Sequence, residues 1–203
     1  IINMNEDEIK LNLFFPTPVW RSKIPNFKEV NENIYNYIKK LKEEGGTGLT
    51  KSSIGGWHSP NFNLEDSEPR FFVNAINKSL NRAINDMGWD VTSHKVKISG
   101  MWSIINKSGA SNARHIHPNS FLSAAYYVKA PENCGDIMFH DPRAAPVFRR
   151  PKIAKDNNLN AIEISVVPEE GLLVLFPSFL HHSVKASVSE KERIVISFNI
   201  DLN

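Results

Sequence analysis

The chain has 203 residues, a formal net charge of +2 from 24 Lys plus Arg against 22 Asp plus Glu, 41% hydrophobic and 23% charged residues, and one cysteine. That length suits one domain of ordinary globular composition and excludes fibrous and disordered classes. A charge so balanced gives no ground for nucleic acid or an anionic membrane as partner, and Cys134 alone can form neither an internal disulfide nor a cysteine-based zinc site.

No apolar run reaches the ~18 to 20 residues of a membrane span. The stretch Ile1 to Lys10 is acidic and polar, unlike the basic stub and apolar segment of a leader. A soluble, cytoplasmic chain is expected; its oligomeric state is not legible.

In chain order, Leu11 to Ile24 is extended and broken by Pro16 and Pro18. Val30, Ile34, Ile38 and Leu41 then recur at helical spacing until Gly45 and Gly46. Asp66 or Ser67 can cap a second helix with Pro69 in its first turn and an apolar stripe of Phe72, Ile76, Leu80, Ala83, Ile84 and Met87. Between the helices, Trp57 and His58 follow two glycines, placed either to cover a pocket mouth or, for Trp57, to pack in the core.

From Lys95 onward short β-branched and aromatic runs alternate with Pro, Gly and Asn. Eight strands are expected, around Val96–Ile105, Ala113–His117, Leu122–Val128, Asp136–Phe139, Ala161–Val167, Leu172–Phe176, His182–Ala186 and Arg193–Asp201. The fold class that follows is mainly β with α: a double-stranded β-helix, or jelly roll, with two or more N-terminal helices packed on one sheet. Residues 1–203 form a single domain in this reading, with 1–94 a helical elaboration and 95–203 the jelly-roll core. The connection from His140 to Leu159 is long and proline-rich, as functional lids often are.

Five of the seven histidines lie in the β-rich half. On a strand, side chains two apart share a face, so His115 and His117 can offer both imidazoles to one ion. His182 shares its parity with Val184 and Ala186, which turns it inward and His181 outward. A buried histidine hydrogen-bonded for structure would look the same. In the last strand Ile194, Ile196, Phe198 and Ile200 form one apolar face, and Arg193, Val195, Ser197 and Asn199 form the other. Arg193 on the inner face could take a carboxylate in bidentate fashion, with Tyr127 adding a phenolic hydrogen bond.

The succession Trp102, His115-Ile116-His117-Pro118-Asn119-Ser120, Ser123 to Val128, Gly135 to Phe139, Asp141-Pro142-Arg143, Pro168 to Gly171, Phe176-Pro177-Ser178, His182 and Arg193 to Ile200 resembles the Fe(II)/2-oxoglutarate-dependent oxygenases. The likeness is to a prolyl-hydroxylase-like bacterial and phage subgroup without assigned substrates, which Leu13 to Trp20 and Gly55 to His58 also resemble. The resemblance implies a hydroxylase that couples decarboxylation of 2-oxoglutarate by O2 to oxidation of a substrate C–H bond. It places His115 and His182 at the two histidine ligand positions and Arg193 at the basic residue facing the distal carboxylate. Tyr127 matches a tyrosine that contacts the same group, and Ser197 a pocket-lining position.

Two departures stand out. Where the wider superfamily has a carboxylate two residues after the first histidine, this chain has His117, so the expected metal ligands are His115, His117 and His182, a set that also suits zinc. Where many relatives have serine, it has Val195. Asp141 is the alternative third ligand, or else a turn former. The basic residues Arg143, Arg149, Arg150, Lys152 and Lys155 could guide an anionic substrate or simply be a solvated loop face. Two other functional readings compete: a three-histidine, cupin-like metalloenzyme that does not use 2-oxoglutarate, and a non-catalytic jelly-roll binding module. Only the oxygenase needs a carboxylate clamp at Arg193.

Overall fold

The computed structural model describes residues 9–49, 51, 53–144 and 151–203. Strand β1 (Trp20–Lys23) precedes helix α1 (Phe27–Glu44); two short strands, β2 (Ser53–Ile54) and β3 (Trp57–His58), lead to helix α2 (Ser67–Asp86). The β-rich half then runs β4 (Val96–Asn106), β5 (Ser111–His115), β6 (Leu122–Lys129), β7 (Ile137–His140), β8 (Glu163–Val166), β9 (Leu172–Pro177), β10 (His182–Val184) and β11 (Arg193–Leu202). The strands form a six-stranded sheet in the order β1-β9-β6-β11-β4-β3 and a five-stranded sheet in the order β2-β5-β10-β7-β8. Apart from the adjacent pair β7 and β8, successive strands from β4 to β11 alternate between the sheets, which is the double-stranded β-helix.

Strand alternation builds two cores. Ile194, Ile196, Phe198 and Ile200 of β11, with Leu122, Ala124, Tyr126 and Val128 of β6, pack on helix residues that include Val30, Ile34, Ile38, Phe72 and Ile76. Phe72 meets Tyr126 at a ring-centroid distance of 4.9 Å and Phe198 at 6.2 Å. The opposite faces supply Ala125, Tyr127 and Val195, which meet Ile137, Phe139, Val174 and Phe176 between the sheets. The helices therefore cover the outside of the larger sheet, and the inside faces the smaller one.

Local differences have physical causes. Helix α1 ends at Gly45, whose N–H donates to the Leu41 carbonyl (2.8 Å), as the glycine pair indicated. Asp66 occupies the N-cap position of α2, yet its carboxylate accepts from the Tyr37 hydroxyl (3.0 Å) and from Asn63 (2.9 Å) instead of from the helix N–H groups. The N-terminal half is not purely helical: β1 pairs with β9, β2 with β5 and β3 with β4, runs of two to four residues too short to show a period. Strand β5 ends at His115, not His117, because the His117 N–H donates to the Ser178 carbonyl (3.0 Å) in a loop and Pro118 has no N–H to continue a ladder. In the proline-rich connection, Pro146, Arg149 and Arg150 lie outside the described residues. No helix among the described residues is long and apolar enough to cross a membrane.

One buried polar bridge joins helix and sheet. Asn31 donates to the Val128 carbonyl (2.8 Å) and accepts from the Tyr126 hydroxyl (2.6 Å). Asn31→Leu should leave both groups buried and unpaired, lowering stability by about 2 to 6 kcal/mol in urea unfolding. Adding Tyr126→Phe should recover part of that loss; strict additivity of the two losses would show that Asn31 does not hold Tyr126.

Candidate metal centre

The smaller sheet brings the histidines together. His182 of β10 pairs directly with His115 of β5 on one side and with Phe139 of β7 on the other. His117 arrives from the loop just past β5. One ring nitrogen from each of the three histidines lies within 4.8 Å of the other two, and the Nε2 atoms of His117 and His182 are 3.3 Å apart. His182 is buried; the other two are half-buried.

Backbone carbonyls select the tautomers. The Nδ1 of His115 lies 2.7 Å from the Ala113 carbonyl, and that of His182 lies 2.9 Å from the Leu180 carbonyl. A carbonyl can only accept, so both Nδ1 atoms carry the proton and both Nε2 lone pairs are free for a cation. Loss of hydration on burial depresses all three basicities: His115 falls below its ordinary value, His117, also opposed by His115, falls to about 4, and His182 to about 3. Neutral imidazoles are the form a metal needs.

His115 and His182 also line a narrow cavity that extends between the sheets to Arg193 and Tyr127. Its remaining walls are Ile104, Asn112, Ala125, Ile137, Val184 and Val195. The lining contains no carboxylate. Arg193 is 2% exposed. Its Nη1 donates to the Gly135 carbonyl (3.0 Å), and its Nε is buried with no partner. Burial lowers the guanidinium pKa, against the pull of Tyr127 and Cys134, but a guanidinium stays charged in proteins. Burial raises the Tyr127 pKa, so the phenol keeps its proton.

Other expected residues lie elsewhere. Ser197 is one layer further along β11, paired with Trp102 and Ala125, and does not line the cavity. Asp141 is not in the histidine cluster; it accepts a bidentate pair from Arg143 (3.0 and 2.9 Å), which also engages one charge of the basic loop. His140 contacts Glu163 and Ser183, each at 3.0 Å. Trp57 is buried in the helix-side core. His58 is buried too, and stacks on Trp102.

Asn112 was not anticipated. Strict alternation puts it on the opposite face from His115, but the β5–β10 register slips between the His182–His115 and Val184–Asn112 pairs, and this bulge turns both side chains to the cavity. No sequence signal marks such a bulge. Asn112 supplies polarity on a wall where Val195 has none.

Residues 100–199 match the family described as "Putative 2OG-Fe(II) oxygenase". These residues belong to the 2OG-Fe(II) oxygenase family. A Pseudomonas putida prolyl-4-hydroxylase shares the fold at 15% identity and TM-score 0.63, over 91% of this chain and 92% of that one. The collagen prolyl hydroxylase of Paramecium Bursaria Chlorella virus-1, solved with 2OG, shares it at 13% identity and TM-score 0.58, over 90% and 94%. The epimerase SnoN from nogalamycin biosynthesis, solved with Fe3+, alpha ketoglutarate and nogalamycin RO, shares it at 10% identity and TM-score 0.63, over 91% and 79%. No curated protein matches the chain significantly by sequence. The oxygenase cofactors, Fe(II) and 2-oxoglutarate, fit the residues present: converging imidazole lone pairs suit the ion, and the orphaned Arg193 Nε suits the dicarboxylate.

The depressed histidine basicities carry a sign. Below pH ~6.5 the unfolded chain takes up protons that the folded, metal-free chain refuses, so stability falls as pH drops toward the folded values of about 4 and about 3. The urea midpoint of the metal-free chain should be lower at pH ~5 than at pH ~7.5, and His182→Gln should flatten the slope. A midpoint independent of pH would mean that the rings are hydrated.

Proposed function

We propose that the chain is an Fe(II)- and 2-oxoglutarate-dependent hydroxylase, with His115, His117 and His182 holding the metal and Arg193 and Tyr127 receiving the far carboxylate of the keto acid. The observation that carries this reading is the buried guanidinium in a cavity without a carboxylate. Burying an unpaired charge costs several kcal/mol, a cost that an anionic ligand offsets.

When bound, the metal and keto acid would let O2 act as the oxidant, with one oxygen atom going to the succinate left by loss of carbon dioxide and the other to the substrate. The chain's residues prepare the site. The Ala113 and Leu180 carbonyls keep the Nε2 lone pairs of His115 and His182 available. Arg193 and the protonated Tyr127 hold one end of the dicarboxylate. Ile104, Ala125, Ile137, Val184 and Val195 keep its path dry, which strengthens the charge pairing. Hydroxylation as the outcome is supported by the two prolyl hydroxylases of similar fold; SnoN is described as an epimerase on the same fold. The substrate is not named by these residues.

Anaerobic titration of the Fe(II)-loaded chain with 2-oxoglutarate should produce the visible metal-to-ligand charge-transfer band, and in air succinate should accumulate slowly without a substrate. The proposal is falsified if the folded Fe(II) form neither binds nor decarboxylates the keto acid. Arg193→Leu should keep its metal yet bind 2-oxoglutarate roughly 30-fold to several thousand-fold more weakly; unchanged affinity would favour the cupin-like reading.

The ligand set has its own test in metal content after dialysis. His117→Ala and His182→Ala should lose metal, whereas Asp141→Asn and His181→Ala should keep it. Loss from Asp141→Asn with retention by His117→Ala would restore a carboxylate ligand.

A further inference from the structure

Two of the three histidines are oriented by backbone carbonyls, and the third is not. His115 and His182 each hold Nδ1 against a carbonyl two residues upstream. Among the described residues no carbonyl holds the His117 ring, which lies beyond the end of β5; its backbone N–H donates to the Ser178 carbonyl, and its Nε2 meets only that of the fellow cluster member His182. A ligand on a loop with a freely turning ring would be a poor partner in a three-point site.

We propose that Trp102 and His58 are positioning residues for His117, fixing its ring by successive ring contacts. This inference rests on His117 being a metal ligand. The His117 ring meets that of His182 edge to edge, with Nε2 atoms 3.3 Å apart and planes at 6°, and packs against the Trp102 indole at a centroid distance of 5.8 Å and 29°. Trp102 in turn packs against His58, at 5.6 Å and 12°. The rings of His58, Trp102 and His117 form a run that ends at the ligand cluster.

The outer end of the run is anchored. His58 sits in β3, where it pairs with Ile104 of β4, and its Nδ1 lies 2.7 Å from the Ser59 carbonyl. Ser59 then clamps the two strands. Its N–H donates to the Ser103 carbonyl (2.9 Å), its Oγ accepts from the Ser103 N–H (2.9 Å), and the Ser103 hydroxyl donates to the Val195 carbonyl of β11 (3.1 Å). The Trp102 Nε1 is buried without a partner, so stacking, not a hydrogen bond, determines where the indole lies. A segment of the N-terminal half, residues 57–59, thereby reaches the metal centre that the β-rich half carries.

Aromatic faces, not merely volume, are what this arrangement requires, and that separates it from ordinary packing. Cobalt(II) can be titrated anaerobically into each variant, with affinity read by calorimetry and ligand geometry by the visible d–d spectrum. Trp102→Leu should weaken cobalt binding by about tenfold to a hundredfold, the usual cost of losing a group that orients a metal ligand, and alter the spectrum; Trp102→Phe should retain both. At the outer end, His58→Ala should weaken binding and His58→Phe should restore it, a pair that decides the matter if Trp102→Leu does not fold. His117→Ala provides the reference. If it lowers affinity while folded Trp102→Leu and His58→Ala match the parent, the positioning role is overturned and the ligand assignment stands. If His117→Ala itself matches the parent in affinity and spectrum, both fall.

Discussion

A guanidinium that faces no acid in the cavity is the constraint around which this protein is arranged. Arg193 is nearly wholly buried, keeps one hydrogen bond to the Gly135 carbonyl, and leaves its Nε unpaired. A cation in that state is tolerable only where the surrounding structure is strong enough to hold it and a ligand of opposite charge can reach it. Both conditions trace to β11. Its register with β4 and β6 on either side determines the depth of Arg193, and the same strand carries Val195 on the cavity wall.

The strength comes from the other face of those strands. Ile194, Ile196, Phe198 and Ile200 are each no more than 1% exposed and lie against α1 and α2. Each strand therefore does two things: one parity anchors the sheet to the helices, and the other presents chemistry to the space between the sheets. Asn31 adds direction to an otherwise apolar seam by bonding both Tyr126 and Val128 of β6. Tyr127, between them, then has one available direction, toward Arg193 and the cavity.

That two-faced alternation is why the last strand could be read so far from sequence alone. Four isoleucine or phenylalanine residues at period two determine which way Arg193 points, and the Val184 and Ala186 parity separates His182 from His181 in the same way. The eight expected strands of the β-rich half all occur, and Pro, Gly or Asn stands in or directly before every connection between them except the last, residues 185–192. Legibility stops where alternation does. The bulge in β5 brings Asn112 to the cavity against its parity, and β1, β2 and β3 owe their pairing wholly to strands distant in sequence. Ser197 shows the converse limit: parity placed it on the inner face, but it could not report that the cavity ends one layer earlier.

On the ligand set proposed here, charge has a further consequence. The three imidazoles are neutral, and Asp141, the carboxylate weighed as an alternative ligand, is neutralised by its bidentate pair with Arg143. A divalent metal and Arg193 then place three positive charges along the cavity, and a dicarboxylate removes two. A site with one carboxylate ligand would reach neutrality with the same partners, whereas this one keeps a net positive charge after the keto acid binds. Desolvated charge in a dry cavity acts at full strength, so such a site holds dianions more firmly than monoanions. It also favours a neutral or anionic substrate over a cationic one, since a cation would enter against the residual charge. The balance depends on His117 remaining a neutral ligand, which its burial beneath Trp102 and beside His182 enforces.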